Sequence, residues 1–137
     1  MAANTKAHGT NMTIRPRLFF HPINHGLIDW VKKQSWSNGH IGAMGFCIGG
    51  HLAFRAALNP EVKATACFYA TDLHTNTIPN KSGQHSMERL DDIKGELLMI
   101  WGKQDTHIPT SNRVEIHNQL LKTDIVFRLN TISVFNS

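Results

Sequence analysis

Hydrophobic and polar positions in the first half of the chain switch between helical and extended periodicity. Leu27, Ile28 and Val31 recur at the spacing that places side chains on one face of a helix. The continuous apolar character of residues 62–69 is typical of a strand covered on both faces. The predicted elements are a helix over residues 24–35, a strand over 40–46, a helix over 49–58 and a strand over 62–69.

The second half repeats this alternation after a long polar stretch. Residues 71–95 show little periodicity, which indicates a loop with one helical turn near Met87–Leu90. Thr110 or Ser111 can cap the helix that follows the next strand. The predicted elements are a strand over residues 96–101, a helix from about 110 to 122 with Val114, His117, Leu120 and Leu121 on its apolar face, and a strand over 125–129.

Strands that alternate with helices predict an α/β fold with a mostly parallel sheet of about four strands, flanked by helices. Ligands of such sheets bind at the carboxyl ends of the strands. Cys47 and Asp105 both follow the carboxyl ends of predicted strands. The pattern therefore places a thiol and a carboxylate at the same edge of the sheet.

Length and composition predict a single domain over residues 24–129, preceded by an irregular leader (1–23) and followed by a tail without clear register (130–137). The chain carries a net charge of +4, but its basic residues are scattered, with Lys32-Lys33 as the only adjacent pair. Nucleic acid is therefore not expected as a partner. No apolar run is long enough to span a bilayer, so no membrane partner is expected either.

The polar start of the chain, residues 1–11, lacks the apolar segment of a secretion signal. We therefore expect a cytoplasmic protein. In that compartment Cys47 and Cys67 are expected to remain free thiols.

The stretch from Gly45 to Gly50 carries the most specific chemical signal. An apolar run leads into Cys47, which glycines flank two residues on either side, and a helical stretch follows. This is the layout of a nucleophile elbow, with cysteine in place of the more usual serine. The helix N-terminus favours the thiolate, and the N–H of Ile48 is placed to stabilise an oxyanion. Gly45 and Gly49 are expected to keep the turn free of Cβ atoms, and Gly50 to let the helix pack close to the strand.

Both cysteines also have plainer interpretations. Cys47 can be a small buried residue in an ordinary strand-to-helix turn. Cys67 lies within a predicted strand, where core packing is its expected role. Oxidative regulation is a further role open to a reactive thiol.

Asp105 is the candidate acid that orients a histidine in a catalytic triad. It can equally begin a turn or cap the helix that follows. In hydrolases with this elbow the histidine follows the acid in the chain, after the last strand. Residues 130–137 contain no histidine, so we identify no triad histidine.

The other histidines fit the role poorly. His107 lies in the same loop as Asp105, and His117 falls on an apolar helix face, where a core role is favoured. His74 and His85, in the long loop, do not fit the usual chain order. His51, one helical turn after Cys47, could perturb the thiol electrostatically, but an exposed helix residue is the favoured interpretation.

Two sets of residues could in principle ligate a metal ion: His21 with His25, and His40 with Cys47 and His51. Nine histidines make chance pairs frequent, and no tight Cys/His framework is present. No metal site is predicted.

Several ordered segments resemble the dienelactone hydrolase family, α/β-hydrolases that use a cysteine nucleophile. The resemblance extends over about residues 25–129. The segments that carry it are residues 27–30, 42–53, 66–70 and 93–109.

The resemblance implies a partial α/β-hydrolase fold and hydrolysis of a lactone or small carboxylic ester. It implies that Cys47 forms an acyl-enzyme, that Ile48 contributes to the oxyanion hole, and that Asp105 orients a histidine. No metal or organic cofactor is expected.

The resemblance stops short of both termini, since residues 1–23 do not match the family's N-terminal strands. We expect a truncated, alternatively spliced or mispredicted family member with impaired activity. The alternative is a non-catalytic fragment or pseudoenzyme that acts by ligand binding or protein association. Because the family's further strands would flank residues 41–46, we also expect self-association through an open sheet edge.

Overall fold

The computed structural model describes residues 20–78 and 83–133, with only the backbone described for residues 20–25. Helices and strands alternate along this part of the chain. The elements are α1 (Phe20–Lys32), β1 (Ile41–Phe46), α2 (Ile48–Ala57), β2 (Val62–Phe68), a 3₁₀ segment (Ser86–Asp92), β3 (Glu96–Gly102), α3 (Thr110–Leu120) and β4 (Phe127–Ile132).

The four strands form one sheet in the order β1-β2-β3-β4, and every neighbouring pair is parallel. This confirms the predicted α/β class and the parallel sheet. In the observed register, Met44 pairs with Ala66, Ala66 with Leu98, and Leu98 with Arg128. These four side chains therefore share one face of the sheet.

Two elements extend beyond their predicted limits. The first helix begins at Phe20, inside the predicted leader. The last strand starts at Phe127 and continues to Ile132, inside the predicted tail. Pairing with β3 accounts for this extension, because the ladder continues to the Gly102–Ile132 pair. The sequence of residues 130–132 does not show that pairing.

The hydrophobic core lies on one face of the sheet, where α2, α3 and the 3₁₀ segment pack. Side chains that alternate along β3 enter this core, and each buried large apolar side chain contributes roughly 1.5–3 kcal/mol. The largest fully buried apolar side chains of this core are Phe54, Leu73, Leu97, Met99, Trp101, Ile108, Ile116 and Leu120.

The opposite face of the sheet is open in the described part of the chain. Met44 is 64% exposed, and Ala64 and Arg128 are also exposed. The expectation that residues 62–69 are covered on both faces is therefore wrong. Buried and accessible positions alternate in β2 because helices pack on only one side of it.

The buried side of α3 also differs from the prediction. Arg113, Ile116 and Leu120 form it, at helical spacing. Leu120 is buried as predicted, whereas Arg113 and Ile116 each lie one position before the predicted Val114 and His117, about 100° around the helix. Exposed instead are Val114, His117 and Leu121.

Among the described residues, no helix combines the length and the apolar character needed to cross a bilayer.

Candidate active site

Cys47 forms a strained turn between β1 and α2. Its backbone has φ 55° and ψ −124°, a conformation that residues other than glycine rarely adopt. Its N–H donates to the carbonyl of Phe68 at 3.0 Å. Its carbonyl accepts from the N–H groups of His51 at 3.2 Å and Thr71 at 3.4 Å. These three bonds hold the turn in place.

The two cysteines have opposite environments. Cys47 is exposed, which rules out its interpretation as a buried filler residue. Cys67 is fully buried, and burial raises its pKa to about 12. The predicted core role of Cys67 is thus confirmed, and Cys47 is the accessible thiol of the pair.

Two of the three elbow glycines are sterically required. A Cβ on Gly45 would overlap with the carbonyl group of Gly49. A Cβ on Gly50 would lie 2.8 Å from the carbonyl oxygen of Phe68. Around Gly49 itself, no atom lies within 4 Å of a Cβ position, so the expectation that Gly49 relieves crowding is wrong.

Ile48 begins α2 immediately after Cys47. The first N–H groups of a helix have no acceptor within the helix. The N–H of Ile48 has no hydrogen-bond acceptor in the described part of the chain. This N–H is therefore available to an acceptor that lies beside the Cys47 sulfur.

Asp105 lies in the loop that follows β3. Its Oδ1 accepts the N–H groups of His107 at 2.9 Å and Ile108 at 3.3 Å, so one carboxylate oxygen stabilises the turn. Its Oδ2 makes no hydrogen bond to the described residues. The following helix has Pro109 at its N-cap and no side-chain cap, so the predicted capping by Thr110 or Ser111 is wrong.

The loop of Asp105 is held by a buried arginine from α3. The guanidinium of Arg113 donates to the carbonyls of Gly102 at 2.7 Å and Lys103 at 3.2 Å. It also donates to the hydroxyl of Thr110 at 2.6 Å. Sequence reasoning missed this residue, because a charged side chain on a helix is usually exposed.

Cys47 follows β1 and Asp105 follows β3, with β2 between them. Two strand spacings amount to about 10 Å. Among the histidines with a described side chain, those in residues 26–78 and 83–133, none hydrogen-bonds to either residue through its ring. His107 reaches Asp105 only through its backbone N–H.

His51 is fully buried, so its interpretation as an exposed helix residue is wrong. One ring nitrogen, Nδ1, lies 2.7 Å from the carbonyl oxygen of Thr71, and the other, Nε2, lies 2.7 Å from the hydroxyl of Ser86. Burial lowers the pKa of His51 to about 4. One feature of the sequence could have indicated that His51 belongs to the elbow. Cys47, His51 and Arg55 recur at four-residue intervals, which places them on one side of the helix.

The described residues contain no group of three or more His, Cys, Asp or Glu side chains that could hold a metal ion. Both ring nitrogens of His51 are hydrogen-bonded, so it cannot join His40 and Cys47 around a metal. The side chains of His21 and His25 lie outside the described residues.

A parallel sheet, a strained strand-to-helix turn at Cys47 and a carboxylate two strands away together define an α/β-hydrolase fold. The sequence model of the dienelactone hydrolase family matches residues 7–133. This chain belongs to the dienelactone hydrolase family.

Relatives and solved structures agree with this assignment. A Saccharomyces cerevisiae protein named "Putative carboxymethylenebutenolidase" is 38% identical over 90 residues, which cover 64% of this chain and 33% of that protein. The carboxymethylenebutenolidase of Pseudomonas putida is 28% identical over 86 residues, covering 63% of this chain and 32% of the enzyme. This chain thus spans about a third of the length of the curated relatives that it matches.

The crystal structure of a dienelactone hydrolase-like protein from Klebsiella pneumoniae superposes with a TM-score of 0.68 at 18% identity. The match covers 91% of this chain and 50% of that one. At this identity the superposition supports the fold alone.

Proposed function

We propose that this chain carries the nucleophile and the acid of a hydrolase that acts on lactones or small carboxylic esters. The observation that carries the proposal is the exposed thiol of Cys47 in a strained turn, next to the unpartnered N–H of Ile48. Relatives named carboxymethylenebutenolidase support a lactone as the substrate.

In the proposed reaction the Cys47 thiolate attacks the ester carbonyl, and a sulfur–carbon bond forms. The Ile48 N–H donates to the oxyanion of the tetrahedral intermediate. The carbon–oxygen bond then breaks, and an alkoxide leaves and takes a proton from solvent. Water cleaves the resulting thioester, which returns the thiol and releases the acid.

Asp105 is proposed to orient an imidazole between itself and Cys47. The two residues follow strands whose backbones lie about 10 Å apart, and we propose that one ring, hydrogen-bonded on each side, bridges this gap. With no triad histidine identified, deacylation is expected to be slower than acylation, because water then attacks the thioester without a general base.

A burst experiment with p-nitrophenyl acetate tests this function. The native protein should release about one p-nitrophenolate per chain rapidly, followed by slow turnover. Cys47→Ala should lose the burst and retain Cys67, which serves as an internal control because it is buried. An equal burst from Cys47→Ala would remove Cys47 from the reaction.

A second candidate function is protein association without catalysis. It is favoured by the open sheet face, where Met44 is exposed beside the half-buried Ala66 and Leu98. Absence of any burst from a folded protein would favour this function. For either function we propose a cytoplasmic protein that does not bind nucleic acid.

A further inference from the structure

We propose that His51 is a positioning residue, which orients the Ile48 N–H toward the oxyanion through the carbonyl of Thr71. This inference rests on the proposed function, since it concerns the same elbow. The ring nitrogens of His51 hydrogen-bond to Thr71 and Ser86 and not to the thiol, so His51 is not itself a catalytic group.

Three hydrogen bonds form a closed ring around the elbow. The carbonyl of Cys47 accepts the backbone N–H groups of His51 and Thr71. The carbonyl of Thr71 in turn accepts from Nδ1 of the His51 ring, at 2.7 Å. His51 therefore acts on the Cys47 carbonyl twice, directly through its backbone N–H and indirectly by holding Thr71, the other donor, through its ring.

Rigidity of the peptide unit carries this constraint to the oxyanion donor. The carbonyl of Cys47 and the N–H of Ile48 belong to one planar trans peptide, so they point in opposite directions. Fixing the carbonyl inward, on His51 and Thr71, turns the N–H of Ile48 outward. An oxyanion donor contributes only when it points at the position that the oxyanion occupies.

The chemistry of the neighbours fixes the tautomer of the ring. The Thr71 carbonyl can only accept, so Nδ1 of His51 carries the proton and Nε2 accepts from the Ser86 hydroxyl. Arg55 donates to the same hydroxyl at 3.2 Å and to the carbonyl of Gln84 at 3.2 Å. Ser86 thereby links the long loop to α2 and keeps His51 aimed at Thr71.

Two substitutions separate the roles of the ring nitrogens. In His51→Asn the side-chain amide can take the place of Nδ1 and donate to Thr71. In His51→Gln the amide reaches the place of Nε2 and meets Ser86 instead. Both variants bury an amide at the same position, so each controls for the packing change of the other.

Two reactions of Cys47 supply the readout. Acylation by p-nitrophenyl acetate passes through an oxyanion, whereas alkylation by iodoacetamide displaces iodide without forming one. We compare the ratio of the two rate constants in the native protein and both variants. Phe54→Leu, a core change in the same helix away from the ring of bonds, controls for general destabilisation.

We expect His51→Gln to lower the acylation-to-alkylation ratio on the order of tenfold, less than the hundredfold or greater cost of deleting an oxyanion donor. His51→Asn and Phe54→Leu should keep the ratio within about twofold of native. Equal ratios in His51→Asn and His51→Gln would overturn the inference, whichever way both move. If native Cys47 is alkylated but not acylated, the proposed function itself fails, and the inference fails with it.

Discussion

The buried, neutral His51 makes the stability of this protein depend on pH. Its pKa falls from 6.5 to about 4 on folding, mainly through burial, with a smaller lowering from Arg55 and opposing contributions from Thr71 and Asp72. The unfolded chain therefore binds more protons between these two values. The contribution of neutral His51 to the free energy of unfolding should be complete above pH 6.5. It should be lost, by roughly 3 kcal/mol, as the pH drops to about 4.

Urea denaturation of the native protein and His51→Asn across this range measures the effect. The variant keeps the carboxylates but lacks the titrating ring, so its unfolding free energy should fall less steeply between pH 6.5 and 4. Parallel pH profiles for the two proteins would contradict the assignment of a depressed pKa to His51.

At the same scale, single residues show how far the sequence could be interpreted. Cys47, Ile48 and Asp105 were predicted as candidates from the elbow pattern and from their places after strands, because an elbow and a strand end are local features. His51 and Arg113 were not, because their burial depends on acceptors from distant segments, such as the carbonyls of Thr71 and Gly102. The sequence also could not show that the turn after β3 uses only one carboxylate oxygen of Asp105, because that depends on the folded backbone.

At the scale of elements, the junction of β1 and α2 depends on close backbone approach. Gly45→Ala should destabilise the protein by several kcal/mol or prevent folding, because its Cβ would overlap with the Gly49 carbonyl. Gly49→Ala should leave the free energy of unfolding unchanged or raise it by up to about 1 kcal/mol, since alanine favours helix.

Urea denaturation of the two variants, which both add one methyl group, tests this difference. Similar losses of stability in Gly45→Ala and Gly49→Ala would contradict the described geometry of the junction.

The order and type of the elements followed from periodicity, whereas their limits and faces did not. Strand β4 extends to Ile132 because its pairing with β3 continues there, which apolar pattern alone does not show. Arg113 lies on the buried face of α3 because backbone carbonyls accept hydrogen bonds from its guanidinium. The buried face is therefore rotated by one position from the face that the apolar pattern predicted.

For the molecule as a whole, the open sheet face predicts self-association. Apolar side chains left exposed on a sheet favour contact between copies. The native protein should show a mass above that of the monomer that rises with concentration in size-exclusion chromatography with light scattering. Met44→Lys should shift it toward the monomer, because a charge on this face is costly to bury.

Leu121→Lys is the matched control, since it adds the same charge at the exposed residue that follows α3, in the layer on the opposite side of the sheet. It should associate like the native protein. A native protein that stays monomeric at every concentration would contradict the prediction that copies associate through the open sheet face.

Peptide mass spectrometry after brief exposure to p-nitrophenyl acetate tests whether Cys47 is the nucleophile of this dienelactone hydrolase-family chain. We expect one acetyl group on the peptide that contains Cys47, removed by hydroxylamine as a thioester and absent from Cys47→Ala. Acetyl groups found only on lysines, with the Cys47 thiol still free to react with iodoacetamide, would contradict it.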